Sequence, residues 1–239
     1  MRTKLLTLLI FFSFILSATA CSGRVEDVKE KAKAREMILS NDYTNEERNI
    51  LLTEDIKRFQ KELPKLHKNM FHNITKDDFN NKTDQLMDHI DQLNNIQVFV
   101  ELNRIVASIG DAHTNISYWD GYSYPLQFWM FDENVYIVNA DTSLEDMMFS
   151  KLLKIDGTDI DLVLEQLIPL ISHENESWVL ASLPNYLQAP VFLYGLGIIK
   201  NEEEAVFTVQ KEDGIVQDFT VIALEYGESA NYVIIKPRM

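Results

Sequence analysis

The segment best equipped for chemistry is Gly110-Asp111-Ala112-His113-Thr114. An imidazole titrates near neutral pH, so His113 can serve as general base for a serine nucleophile. Asp111 either orients that ring or caps the turn. Spacing alone favours a loop histidine that does no chemistry. The remaining candidates are weaker. His67 and His72 flank a predicted helix end with no acidic helper at metal-ligand spacing, and His173-Glu174 lacks the second His of a zincin motif. A surface or capping role suits all three, and neither a metal nor a cofactor is expected. Ser108 and Ser117 lie near His113, but no serine stands in a Gly-flanked nucleophile turn. Gly195-Leu196-Gly197 lacks the third glycine and the clear preceding strand of a dinucleotide fingerprint.

The elements that must position His113 can be read from periodicity. From Thr53, Ile56, Phe59, Leu63, Leu66 and Met70 fall on one helical face, with Pro64 expected to kink or end the helix. Thr75 followed by Asp78 reads as a capping start for a second helix through Leu93. Ile96, Phe99, Leu102 and Val106 mark a third, which Gly110 can close in a left-handed turn. Then the pattern becomes β-rich. Tyr124 to Phe131 and Val135 to Ala140 read as a hairpin, and Lys151 to Ile155 as a strand stopped by Asp156-Gly157. A helix follows from Ile160 to near Pro169, then one over Trp178 to Leu187 broken at Pro184. Ala205 to Gln210 and Gln217 to Leu224 flank Asp213-Gly214 as a second hairpin, and Tyr232 to Ile235 starts another strand. The class is α+β, a helical cap followed by a β-rich region. Regular strand-helix alternation, the mark of a doubly wound sheet, is absent. The aromatic group from Trp119 to Phe131 reads as core, with an apolar peptide groove as the alternative.

Composition excludes whole classes. At 46% hydrophobic and 25% charged, the 239-residue chain can build a core, which excludes a wholly disordered protein. The net charge of −15 opposes a phosphate backbone, so no nucleic-acid partner is expected. The single Cys excludes a disulfide framework. Arg2 and Lys4, the apolar run Leu5 to Leu16 and the small residues Ser17 to Ala20 form a secretory signal layout. Cys21 follows directly and resembles the lipobox of bacterial lipoproteins, with Ala18 where that box prefers Leu. The resemblance implies lipidation at Cys21 and an exported chain anchored to the membrane by acyl chains on its extracytoplasmic face.

A second resemblance is carried by three segments. Arg104 to Thr114 resembles the stretch around the catalytic His of tail-specific, or C-terminal processing, serine peptidases of the tricorn-like branch. Lys151 to Ile160, with its Ile155-Asp156-Gly157 turn, resembles the PDZ-like stretch of that family. Ile171 to Trp178 is similar to secreted members from Gram-positive bacteria. The likeness runs roughly from Thr53 to Tyr232. It implies that His113 is the general base. It also implies that Leu152, Leu153, Ile155 and Gly157 belong to a PDZ-like region that captures peptide or protein C-terminal tails by strand addition. In that family the Ser nucleophile and an acidic residue lie on a later α/β domain, past the PDZ-like region. The expected layout is a signal over 1–20, a tether over 21–52, a helical cap with the His loop over 53–117, and a PDZ-like region over 118–239 that leads into a truncated catalytic domain. The expected function is the N-terminal segment of a lipid-anchored tail-specific serine peptidase, inactive alone for want of the nucleophile. The alternative is a non-catalytic peptide-binding lipoprotein.

Overall fold

The computed structural model describes residues 44–116 and 121–234. The expected signal, Cys21, most of the tether, Ser117, Trp119 and the last five residues lie outside the described residues.

Helix α1 (Asn45–Leu66) opens on a reciprocal cap. Thr44 Oγ1 accepts from the Glu47 N–H at 3.2 Å while the Glu47 carboxylate accepts from the Thr44 N–H at 2.8 Å. That cap starts the helix earlier than its apolar stripe, which had placed the start at Thr53. Leu52, Ile56, Phe59 and Leu63 are buried along one face. Pro64 sits inside the last turn without breaking it, and the helix ends when His67 turns extended, which leaves Leu66 exposed. A 3-10 turn (Met70–His72) leads to α2 (Lys76–Asp88), where Thr75 accepts from the Asp78 N–H at 3.0 Å as expected. Helix α3 (Asn95–Ala107) is capped reciprocally by Asn94 and Gln97. It serves two cores. Val98, Leu102, Ile105 and Val106 pack with α1 and α2, while Phe99 and Val100 pack into the sheet layer. Burial on opposite sides explains why α3 is apolar nearly all round.

The second layer is an antiparallel sheet of β1 (Leu126–Phe131), β2 (Asn134–Ala140), β3 (Lys151–Ile155), β4 (Thr158–Asp159), β5 (Glu204–Gln210) and β6 (Val216–Ile222). Its order is β1-β2-β3-β5-β6, with β4 beside β3. Helices α4 (Ile160–Leu167), α5 (Glu176–Gln188) and α6 (Pro190–Gly195) lie between β4 and β5 in the chain. Leu126, Phe128, Ile137, Leu152, Ile155, Phe207 and Val209 turn inward against Val163, Leu167, Leu183 and Leu187. The fold is α+β, helices first and an antiparallel sheet after, in the expected order.

Two local expectations are corrected, and a glycine pair given no ligand by sequence finds its use. Pro184 does not break α5, because Val179, Leu183 and Leu187 hold the buried face in register across it. Tyr232 makes one bridge to Asp141 rather than opening a strand. Gly195-Leu196-Gly197 turns out to be packing and termination. A Cβ on Gly195 would collide with Val100 Cγ2, and Gly197 turns left-handed at φ 73° after α6.

Candidate functional site

The His113 loop leaves α3 through Ser108 and turns at Gly110, whose φ is 75°. Glycine is required there twice over. The dihedral disfavours a side chain, and a Cβ would lie 2.9 Å from Asn73 Nδ2. Asp111 then closes the turn on itself. Its Oδ1 accepts from the His113 N–H at 2.9 Å and its Oδ2 from the Thr114 hydroxyl at 2.8 Å. The orient-or-cap question raised by the sequence resolves toward the backbone, since Asp111 holds the His113 amide rather than its ring.

The connector between α1 and α2 grips the same loop from outside. His67 Nε2 lies 2.8 Å from Asp111 Oδ2. His67 Nδ1 accepts the Asn69 N–H at 3.1 Å. An N–H can only donate, so Nδ1 carries no proton, Nε2 carries it, and the ring donates to the carboxylate. His72 reaches the Gly110 carbonyl oxygen from Nε2 at 3.2 Å and the Asn69 carbonyl oxygen from Nδ1 at 2.8 Å. Asn73 Nδ2 donates to the Ser108 carbonyl oxygen at 3.2 Å. Burial works against the Asp111 charge, but the bonds from His113, Thr114 and His67 outweigh it and hold the carboxyl below its usual range.

Sequence gives His67, His72 and His173 a surface or capping role. They line one open pocket of about 600 Å³ together with Lys68, Asn69, Asn73, Gly110, Asp111 and Glu174. His173 Nδ1 is itself bonded to the Ile171 carbonyl oxygen at 2.7 Å. No spacing rule links His67 to Asp111, because the pairing is made by the fold. Among the described residues, no group of three His, Cys, Asp or Glu side chains is arranged to hold a metal. The His113 side chain is exposed, and its ring has no hydrogen-bond partner among the described residues. Ser108 donates its hydroxyl to the Ile105 carbonyl oxygen at 2.6 Å and so faces α3, not that ring.

The PDZ-like candidates stand elsewhere, in β3 and its turn. Leu152 and Ile155 are wholly buried, and β3 is paired with β5 along one side and with β2 and the short β4 along the other. Gly157 follows Asp156 in a two-residue turn with φ 44° and 79°. Leu153 is the extra residue of a bulge opposite β5. Among the described residues β3 therefore has no free edge, and Leu152 and Ile155 pack the core.

No family model matches the chain, and no curated protein matches its sequence. Solved structures do resemble its fold. A structure of mature CPAF complexed with lactacystin is 16% identical at a TM-score of 0.54, covering 78% of this chain and 38% of that one. The CPAF S499A mutant is 15% identical at 0.52, covering 72% and 33%. This chain therefore shares part of the fold of those structures, and it spans between a third and two fifths of their length.

Proposed function

We propose that this chain is the base-bearing part of an exported, lipid-anchored, tail-specific serine peptidase. His113 is the general base. Its imidazole takes the proton of a serine hydroxyl as that oxygen attacks the peptide carbonyl, then passes it to the leaving amine. The hydroxyl comes from outside the described residues. Cys21 carries the lipid that keeps the domain at the outer membrane face. Peptide or protein C-terminal tails are the substrates, presented at an outer strand of the sheet rather than at the enclosed β3.

The observation that carries the reading is the state of the rings. His67, His72 and His173 are engaged by backbone or carboxylate, while the His113 ring has no hydrogen-bond partner among the described residues and stands on a loop held from two directions. The partial likeness of its fold to that of CPAF, a protease, supports it. Residues 22–239 on their own are expected not to hydrolyse peptides, because no described serine is bonded to the His113 ring and Ser108 faces α3. The check is a hydrolysis assay with free-tail peptides on purified 22–239 and on His113→Ala. Equal background rates are expected. Turnover that disappears in His113→Ala would place a nucleophile inside the chain and overturn the proposal.

A further inference from the structure

The His113 loop has few ties to the body of the molecule, and they are unequal. Among the described residues three donors meet Asp111, and two of them are local, from His113 and Thr114. Local bonds shape a turn but cannot place it against another element. The third donor, His67, belongs to the end of α1, 44 residues away in the chain. The other cross-links, from His72 and Asn73, meet backbone oxygens at the entry of the loop and are longer, 3.2 Å each. Only the His67 bond reaches the carboxylate that holds the His113 amide. It is also shielded, with side-chain exposures of 9% for His67 and 22% for Asp111. Water competes poorly for such a bond.

The geometry points to His67 as a positioning residue: bonded to Asp111, it fixes where the exposed His113 ring stands relative to α1 and the connector. The Asn69 N–H is part of the device. By occupying Nδ1 it forces the ring proton onto Nε2, so that a donor and not a lone pair faces the Asp111 carboxylate. A base must be held within a fraction of an ångström of its task, and such precision comes from second contacts of this kind. The importance of the position rests on reading His113 as the base; the positioning itself does not.

The test is amide hydrogen exchange followed by NMR on the full chain, comparing wild type with His67→Phe and His67→Gln. Phenylalanine keeps a planar ring but has neither nitrogen. Glutamine restores a side-chain N–H within reach of Asp111. In His67→Phe the His113 and Thr114 amides are expected to exchange about tenfold faster or more, while β5 amides keep their rates. In His67→Gln much of the His113 protection returns. A His113 amide with an unchanged rate in His67→Phe overturns the inference, as does a uniform acceleration over the whole chain in both variants. These rates are read without substrate, so the peptide assay can fail while this result stands, and the reverse.

Discussion

At Asp111 three donors meet one carboxylate, and the consequence falls on a neighbour's amide. The sequence showed Asp111 and His113 side by side and offered two roles for the acid. It could not show the third donor, because His67 is remote in the chain and a lone His at a helix end has many uses. A second residue was equally hidden. Glu202, the first of three consecutive glutamates, is half-buried, with its Oε1 unpartnered among the described residues, and burial pushes its carboxyl up to about 7. Nearby Tyr124 also has an unpartnered buried hydroxyl; burial raises its pKa first, and the charges of Asp156 and Glu202 add to the effect. The sign follows directly. The folded state holds the Glu202 proton more tightly than the unfolded chain, whose value is 4.5, so its contribution to stability falls as pH rises from 4.5 through about 7. Thermal unfolding over that range is expected to show a decline that Glu202→Gln flattens. A decline of equal slope in Glu202→Gln would assign it to other groups.

Among the elements, those with complete local signals were legible. The Thr75 cap, the Asp132 hairpin, β3 and the Asp156-Gly157 turn each carry their cause within a few residues. Boundaries set by capping or by tertiary packing were not. The Thr44 cap extends α1 before its apolar stripe begins, and α5 runs through Pro184 because its buried face continues on both sides. The short α6 was missed altogether. It packs with Gly195 close against Val100 and Ile96 on α3, a contact no local pattern announces. That approach has a stability consequence. Gly195→Ala must push α6 off α3 or distort Val100, at a cost of roughly 1–3 kcal/mol typical of overpacked cores. Denaturant unfolding is expected to show the loss without a change in slope. Wild-type stability in the variant would mean that the α3–α6 contact yields freely.

For the whole molecule, the α3 helix joins a helical layer to a sheet layer, and the loop that leaves its C-terminal end is gripped by the connector of the first layer. The order of helices before strands was visible in the change of periodicity, whereas the convergence of three histidines on one pocket needed the fold. Among the described residues, no helix is long and apolar enough to cross a membrane. All five histidines of the chain are described, and four have ring nitrogens engaged: His67 by Asp111 and Asn69, His72 by Asn69 and Gly110, His89 by Gln85 and His173 by Ile171. His113 stands outside that set, and the account of a free base on a held loop depends on the difference. Carbethoxylation resolved by peptide mass spectrometry measures it most directly, since the reagent needs an unoccupied ring lone pair. The account predicts that His113 is modified early and His67 late, by at least about tenfold in rate, because both His67 nitrogens are bonded and shielded. Labelling of His67 as fast as His113 would contradict it.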